Sequence, residues 1–420
     1  MVIEREYDII VLGGGAAGVA AAIGAAQAGA SCLLVERNGS LGGQATNANV
    51  ASYCGFYTHG KEPLQVVKGV GQMVLDELQK LGGCQFRLSS AQNAIITFDE
   101  EKLKFTLDRL VSRWDNLHLL LHCRCVGAVT DPTTGAVQAI RCMDDEQSYL
   151  FRAKSFVDAS GDGNLAHLAG AHLRFGNGNG SGYMSTRVMR LDHVAPEASF
   201  KPDVLKKAFE QAKADGYDLL TKVSGIIFRT APDTAYAILP SVAVPSLDAE
   251  TLTRCEINTR AQSQQYEEAF RQYLPGMENC RLVSTGHSLG LRDTRHLIGE
   301  YTLSSHDVLE AVKQPDGVAC GAWPCEMHTK LEEMPGYLWV KDDDYYHIPL
   351  RCLHSENIPN LWGAGRLVSA DPIAFASVRV MGIGFGTGQA AGVAAAQQAL
   401  SGKVDAQTVR QELIQQGAFL

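Results

Sequence analysis

The sequence lacks the features of a secreted, membrane-spanning or nucleic-acid-binding protein. Its amino terminus has no basic region followed by an apolar core. Apolar runs free of Gly and polar residues stay shorter than the roughly 18 residues that a membrane span needs. There is no run of Lys or Arg, and the formal net charge is -9. We therefore predict a cytoplasmic protein without a membrane span and without a nucleic-acid partner.

The sequence also lacks the cysteine patterns of redox-active disulfides and metal sites. Its eleven cysteines are an odd number, scattered through apolar contexts, with no CxxC pair and no spacing typical of metal ligands. No second GxGxxG follows the first, so a separate NAD(P)H domain with disulfide-reductase chemistry is not indicated. A chain of 420 residues with 45% hydrophobic content can bury a sizeable core without such cross-links. We predict reduced thiols and no metal.

The strongest motif present is a dinucleotide fingerprint near the amino terminus. An apolar run meets Gly13, Gly15 and Gly18, followed by an alanine-rich stretch and a second apolar run that ends at Glu36. This order predicts a strand, a tight turn, a helix and a strand. The first glycine would form the turn, the second would let the backbone approach a pyrophosphate, and the third would let the helix pack closely. The N–H groups at the helix start would bind the phosphate oxygens.

Two features after this motif indicate which nucleotide binds. Glu36 is placed to accept both hydroxyls of an adenosine ribose, and its charge disfavours a 2′-phosphate, which leaves FAD or NAD. Gly42 and Gly43 follow shortly after the acid, a pattern that resembles the FAD-binding branch shared by the succinate dehydrogenase and glutathione reductase flavoproteins. Two residues without side chains would let the backbone run against the phosphate and ribityl chain. FAD is favoured, and NAD is the alternative.

The middle of the chain alternates helical and strand patterns. Residues 61–81 and a segment starting at 98–99 have the periodicity of amphipathic helices. Three apolar runs between 117 and 158 predict a strand meander. The meander leads into VDASGDG at 157–163, whose small residues predict a second, independent contact with FAD.

A glycine-rich loop at 175–182 marks the predicted domain boundary. We predict an α/β fold in which a discontinuous, Rossmann-like FAD-binding domain comprises residues 1–174 and 346–420. Residues 175–345 would form a mixed α+β cap that binds the substrate. At 382–392, glycines open an alanine-rich helix whose amino terminus would stabilise negative charge on the flavin, the alternative being two helices packed through glycines.

Motifs along nearly the whole chain resemble the FAD-dependent oxidoreductase family, which has a succinate dehydrogenase/glutathione reductase-like flavin fold. They are LGGQAT, FDEEKLK, VDASGDGNLAHLAGA, LTRCEINTR, HSLGLRDTRHLIGEYTLSSHDV, YHIPLRCL and NLWGAGRLVSADPIAFASVRVMGIGFGTGQAAG. The block at 289–308 is the most specific. Departures from the family pattern occur at Asp293, His296, Glu326 and His347, outside the FAD motifs.

The residues predicted to bind FAD lie in these motifs and at the start of the meander. They are Gly13, Gly15, Ala16, Ala17, Gly18, Glu36, Arg37, Gly42, Gly43, Gln44, Thr46, Cys125, Val126, Ala159, Ser160, Gly161, Gly365, Arg366, Arg379, Val380, Met381 and Gly384. Cys54, on a segment that would run toward the isoalloxazine ring, is interpreted as a buried small residue or as a flavin contact or thioether.

We expect flavin to carry the redox step and the protein to supply orientation and a proton acceptor. His328 is the first choice of general base and His347 the second, with Arg379 or Arg292 orienting the substrate. Arg292 and Arg295, three apart, would share a helix face and clamp an anion, or else form salt bridges to acids of the same segment.

The expected function is a dehydrogenase or oxidase that exchanges a hydride between a small-molecule substrate and flavin N5. The alternatives are a reductase of activated double bonds, or a flavoprotein component of an electron-transfer or RNA-modifying complex. No motif identifies the electron acceptor or an oligomeric state.

Overall fold

The protein combines a large α/β domain with a smaller sheet-and-helix layer. The structure, a computed structural model, describes residues 2–89, 91–180, 182–331 and 335–420. Ser181, within the predicted boundary loop, lies outside the described residues. Its described helices are α1 (Ala16–Gln27), α2 (Gln44–Asn47), α3 (Val70–Lys80), α4 (Glu100–Val111), α5 (Asn164–Ala169), α6 (Pro202–Ala214), α7 (Ala249–Tyr273), α8 (Ser305–Leu309), α9 (Pro372–Val378), α10 (Met381–Ser401) and α11 (Ala406–Gln415), with 3-10 turns at Lys341–Asp343, Leu350–Cys352 and Gly365–Leu367.

The strands fall into one large sheet and several small ones. They are β1 (Val2–Leu12), β2 (Cys32–Val35), β3 (Ser52–Cys54), β4 (Cys84–Leu88), β5 (Ala94–Phe98), β6 (Leu117–Leu120), β7 (Arg124–Thr130), β8 (Val137–Met143), β9 (Ser148–Asp158), β10 (Leu173–Phe175), β11 (Ser185–Thr186), β12 (Met189–Asp192), β13 (Ile226–Ala231), β14 (Thr234–Ile238), β15 (Ser241–Val242), β16 (Arg281–Ser284), β17 (Arg295–Leu297), β18 (Gly317–Gly321), β19 (Cys325–Met327), β20 (Gly336–Leu338), β21 (Tyr346–Pro349) and β22 (Leu361–Gly363).

The large sheet sets the position of the site. Its order is β6-β2-β1-β9-β8-β7, and β22 pairs with the end of β9. Strands β6, β2, β1 and β22 run parallel to their neighbours, and Leu12 pairs with both Val35 and Asp158. The carboxyl ends of β1, β2, β9 and β22 therefore meet at one edge, which is where open α/β sheets bind ligands. The predicted α/β, Rossmann-like fold class is confirmed.

Two alanine-rich helices cover one face of this sheet and touch through glycines. A Cβ added at Gly388 would lie 2.1 Å from the Ala17 carbonyl oxygen, and one at Gly392 would lie 2.0 Å from the Ala21 carbonyl oxygen. Side chains at these positions would push α10 away from α1. The glycines in the middle of α10 thus serve helix packing, which was the alternative interpretation of this segment, whereas the start of the helix faces a cavity.

Buried side chains form three main cores. One lies between the large sheet and α1, α3, α4 and α10. A second lies between α6, α7 and the four-stranded sheet β13-β14-β12-β16, and a third covers the opposite face of the large sheet near α5. Buried residues between Leu303 and Val340 pack in the first core, although the sequence places them in the cap. The boundaries at 174 and 345 stay a prediction.

Two local predictions need correction. The helix expected over 61–81 begins only at Val70, because Gly69 adopts a left-handed φ of 58° that ends the preceding loop. The first of the three apolar runs is split at His122, which also has a positive φ of 54°. Its first half, β6, joins the parallel sheet, and only its second half, β7, belongs to the antiparallel meander.

All eleven cysteines are free thiols. In the described ranges, no group of three or more His, Cys, Asp or Glu side chains is arranged to hold a metal ion. No described helix has both the length and the hydropathy to cross a membrane.

Candidate active site

One cavity of about 730 Å³ lies at the carboxyl edge of the large sheet and extends to β13 and β14 of the four-stranded sheet. Most of the residues predicted to bind FAD line it: Gly13, Gly15, Ala16, Ala17, Glu36, Arg37, Gly42, Gly43, Gln44, Ala159, Ser160, Gly161, Gly365, Arg366, Arg379, Val380, Met381 and Gly384. The loops after the parallel strands and the starts of α1 and α10 thus converge on one space.

The fingerprint glycines have distinct geometric roles. Gly13 has φ +101°, and a Cβ there would lie 2.6 Å from the Ala159 carbonyl oxygen, so only glycine fits. A Cβ added at Gly18 would lie 1.7 Å from the Gly13 carbonyl oxygen. Because glycine has no Cβ, α1 can start close against the turn. At Gly15, in contrast, the nearest protein atom to an added Cβ is 3.8 Å away, at Gly43. The space beside Gly15 belongs to the cavity.

The start of α1 is built to hold an anion. Gly15 is its N-cap residue, and no side chain caps the helix. Its first N–H groups therefore have no intrahelical acceptor and face a space where a phosphate fits. The loop after β2 closes this space, because Gly42 donates to the Gly14 carbonyl oxygen at 2.8 Å and Gly43 lies against Gly15.

Glu36 is buried and fixed at the end of β2. Its Oε2 accepts from the Gly14 N–H at 2.6 Å, and its Oε1 accepts from the main-chain and side-chain N–H groups of Asn38 at 2.8 and 2.7 Å. A carboxylate has about four lone-pair sites and these contacts use three of them, so capacity for one ribose hydroxyl remains. The geometry agrees with the ribose-binding role expected of this acid.

The loop after β9 is held by buried polar contacts. Asp158 is fully buried and accepts from the Ser160 N–H at 2.9 Å, the Ser160 hydroxyl at 2.6 Å and the Ala166 N–H at 2.8 Å. Burial raises the pKa of its carboxyl group. Arg366 donates to the Gly161 carbonyl oxygen and pairs with Asp162, both at 2.8 Å. These contacts fix the backbone of 159–161 at the cavity wall.

Five predicted site residues do not line the cavity: Gly18, Thr46, Cys125, Val126 and His347. The Thr46 hydroxyl donates to the Leu41 carbonyl oxygen at 2.8 Å and so fixes the glycine loop from behind. Cys125 and Val126 lie on β7, where a bulge between 125 and 127 interrupts pairing with β8. The ring of His347 lies 3.1 Å from the Gln314 carbonyl oxygen, on β21. The structure does not bring His347 together with His328.

FAD fits the residues present. Close-approach glycines, an uncapped helix start and a buried acid after β2 provide sites for the pyrophosphate and the ribose. The start of α10, a helix of 21 residues that no side chain caps, lines the same cavity. It offers N–H groups and a positive dipole end to the electron-rich edge of a flavin.

A largely buried polar cluster, Arg292, Glu326, His328 and Arg379, lines the same cavity. His328 Nε2 lies 3.3 Å from Glu326 Oε1 but has no hydrogen bond of good geometry. Arg379 Nη2 lies 3.7 Å from Glu326 Oε2 and donates to the Glu326 carbonyl oxygen at 3.2 Å. Arg292 Nη1 donates to the Met184 carbonyl oxygen at 2.6 Å.

The side chains of the cluster shift one another's pKa values. Burial alone would raise the pKa of the Glu326 carboxyl, but contact with His328 and Arg379 lowers it well below its usual value. Burial, followed by repulsion from Arg292, lowers the pKa of His328 to about 3, so its ring is neutral at pH 7. Burial and the nearby Arg379 lower the pKa of Arg292 to about 9, which leaves it charged at pH 7.

Three further residues belong to this environment and were not identified from the sequence. Trp323 Nε1 donates to Glu326 Oε2 at 3.3 Å, and the Tyr337 hydroxyl donates to Glu326 Oε1 at 3.1 Å. Lys222, from the cap, is buried, and burial with repulsion from Arg292 lowers its pKa to about 7. No sequence motif surrounds Lys222, so only the fold places it near the cluster.

The predicted pairing of Arg292 with Arg295 on a helix is wrong. Arg292 lies in a loop, and Arg295 begins the strand β17. Arg295 Nη1 lies 3.4 Å from the Asp162 carbonyl oxygen, and Arg295 does not line the cavity. The second guanidinium at the site comes instead from Arg379, far along the chain.

Cys54 does line the cavity.

Comparison with known proteins gives similar solved structures and a family match. Solved structures similar to this chain include a geranylgeranyl bacteriochlorophyll reductase-like protein from Thermoplasma acidophilum (13% identity, 99% of this chain and 85% of that chain, TM-score 0.48). They also include p-nitrophenol 4-monooxygenase from Pseudomonas putida DLL-E4 (9%, 99% and 85%, TM-score 0.49) and L-proline dehydrogenase from P. horikoshii (12%, 100% and 100%, TM-score 0.45). The model of the FAD dependent oxidoreductase family matches residues 8–417. The chain therefore belongs to the FAD dependent oxidoreductase family, and FAD is its cofactor.

Proposed function

We propose that this flavoprotein is a dehydrogenase or oxidase that removes a hydride from a C–H bond next to a hydroxyl or amine of a small molecule. One observation carries this proposal: a single cavity joins the glycine-lined FAD site to the buried polar cluster of Arg292, Glu326, His328 and Arg379. When bound, FAD supplies the hydride acceptor at N5. The side chains of the cluster supply orientation and a proton acceptor.

His328 is the proposed general base. A C–H bond can lose a hydride only if the attached oxygen or nitrogen also loses its proton, and a neutral imidazole accepts a proton. His328 is neutral at pH 7, and its ring lines the cavity. Glu326, 3.3 Å away and ionised, would stabilise the imidazolium that forms. His347 is left out of this proposal because it does not line the cavity.

The protonation state of His328 also favours one direction of reaction. Reduction of an activated double bond needs a residue that donates a proton, and a ring with a pKa of about 3 is not protonated at pH 7. The resting cluster is thus prepared for substrate oxidation. We accordingly rank the reductase alternative second, and we propose a cytoplasmic enzyme that acts on a small molecule.

Anaerobic stopped-flow measurement of flavin absorbance tests the proposal. A panel of alcohols, 2-hydroxy acids, amines and amino acids is mixed with the FAD-loaded protein, and we expect at least one compound to bleach the flavin. His328→Ala should slow this reduction by about 10² to 10⁴ with unchanged FAD content. His347→Gln is the matched control and should reduce at the wild-type rate.

Two results would count against the proposal. If no small molecule bleaches the flavin but a partner redox protein does, the chain is an electron-transfer component. If His328→Ala is reduced at the wild-type rate, the base lies elsewhere and the assignment of His328 fails.

A further inference from the structure

The polar cluster of Arg292, Glu326, His328 and Arg379 contributes more positive than negative charge to the cavity. Arg292 and Arg379 both line it, and Glu326 is the carboxylate that faces them. Lys222 is buried close enough for Arg292 and Glu326 to shift its pKa. A buried charge without a partner is costly, and proteins offset it with an opposite charge or a ligand. The protein itself supplies one carboxylate against two guanidinium groups.

Arg292 in particular has unused donors. A guanidinium carries five N–H groups, and in the described part of the chain the Met184 carbonyl oxygen is the acceptor for Arg292. No described Asp or Glu oxygen lies within 4.0 Å of its nitrogens. Arg379 also lines the cavity, and among the described residues its hydrogen-bond acceptor is the Glu326 carbonyl oxygen, which Nη2 reaches at 3.2 Å. Both guanidinium groups therefore have donors available to a ligand.

We infer that the substrate of the proposed oxidation carries a carboxylate group, which binds Arg292 and Arg379 in the cavity. The planar fork of a guanidinium matches the two oxygens of a carboxylate, and such charge-assisted pairs are strong in a buried site. That this carboxylate compound is the substrate depends on the proposed function. The binding of the carboxylate itself follows from the charge arrangement alone.

A bound carboxylate would also change the pKa of His328, the proposed proton acceptor. Repulsion from Arg292 is one cause of the low pKa of His328, after burial. A negative charge on Arg292 offsets this repulsion and raises the pKa of His328, which makes the ring a stronger base. The base would thus reach full strength when a carboxylate substrate occupies the site, and neutral molecules of similar shape would lack this effect.

Binding is tested on the FAD-loaded protein without turnover, by titration of the flavin absorption spectrum. The probes are benzoate, phenylacetate, hexanoate and succinate, each compared with its neutral amide. We expect a saturable spectral change with at least one carboxylate and at least ten-fold weaker binding of the matched amide. Arg292→Gln should weaken carboxylate binding at least ten-fold with unchanged FAD content, and Arg292→Lys should restore part of it. Arg281→Gln, at an exposed arginine of the cap, is the control and should bind like wild type.

The inference is overturned if none of the carboxylates binds, if the amides bind equally well, or if Arg292→Gln leaves the affinity unchanged. These outcomes can be separated from failure of the proposed function. Flavin that is bleached by neutral substrates, with no carboxylate binding, would retain the oxidase or dehydrogenase and reject the anion site. Carboxylate binding without bleaching by any small molecule would retain the anion site and reject the proposed reaction.

Discussion

Nε2 of His328 lies 3.3 Å from Oε1 of Glu326, inside a cavity that also receives two guanidinium groups. Trp323 and Tyr337 donate hydrogen bonds to the same carboxylate and so hold it in place. The carboxylate stays ionised because the cations around it outweigh the effect of burial. The ring of His328 therefore has an opposite charge 3.3 Å away, which would stabilise the ring once it is protonated.

Removal of Arg292 should change the pH dependence of flavin reduction. Because the Arg292 guanidinium lowers the pKa of His328, Arg292→Gln should raise it from about 3 toward the usual value near 6.5. A base works only when deprotonated, so the variant should lose rate as the pH falls through the raised pKa, whereas wild type should show a flat profile from pH 5 to 8. The measurement is stopped-flow flavin reduction at substrate concentrations far below saturation, where the pH profile reports the ligand-free site. Parallel profiles for wild type and variant would show that Arg292 does not control the base.

Replacement of Gly15 by Val should yield folded, colourless protein. Gly15 has φ -71°, which any residue adopts, and no protein atom lies closer than 3.8 Å to an added Cβ. The new side chain would therefore occupy the place of the cofactor rather than disturb the fold. The ratio of flavin to protein absorbance, with circular dichroism as the folding control, measures the outcome. Full flavin content in this variant would contradict the FAD site.

The matched comparison is Gly18→Ala. Its Cβ would collide with the Gly13 carbonyl oxygen at 1.7 Å, so this smaller substitution should lower the thermal unfolding midpoint as well as the flavin content. Similar behaviour of the two variants would show that the two glycines do not have separate roles.

The flavin end of the site was predictable because its constraints are local. Gly13 and Gly42 have positive φ values of 101° and 109°, and the sequence shows this requirement directly as glycine. Glu36 follows from its place at the end of a short apolar strand. Helical periodicity gave the wrong start for the helix predicted over 61–81. The helix begins at Val70, because Gly69 has a positive φ.

The substrate end depends on contacts that no local pattern encodes. Arg292 and His328 were identified by residue type, but the partner of Arg292 is a main-chain carbonyl oxygen at Met184. Lys222 enters the same environment from the cap, 70 residues away from Arg292. His347 looked equivalent to His328 in sequence, yet its strand β21 pairs with β18 outside the cavity.

Cys54 should not form a covalent bond to the flavin. The thiolate is the nucleophile in thioether formation, and burial raises the pKa of the Cys54 thiol far above its usual value, with the Glu326 charge adding to the effect. The thiol therefore stays protonated at pH 7. Acid precipitation of the protein should release all of the flavin into the supernatant. Colour that remains in the pellet, and is lost in Cys54→Ala, would contradict this prediction.

Lys222 should make the stability of the protein depend on pH. Burial, with repulsion from Arg292, lowers its pKa from 10.5 to about 7, so between these values the unfolded chain binds one more proton than the folded chain. Stability of wild type should therefore rise with pH across this range, by up to about 1.4 kcal/mol per pH unit for this group. Lys222→Met removes the group and keeps an apolar stem of similar length.

The variant should have a higher thermal unfolding midpoint than wild type at pH 6 to 7, and its advantage should shrink steadily as the pH rises toward 10. Lys206→Met is the matched control, since Lys206 is an exposed residue of α6 in the same domain, and its midpoint should follow that of wild type at every pH. Both variants are compared with full FAD loading, because bound cofactor adds to stability in proportion to its occupancy. An advantage of Lys222→Met that stays constant from pH 6 to 10 would show that Lys222 titrates normally and does not add a buried charge to the site.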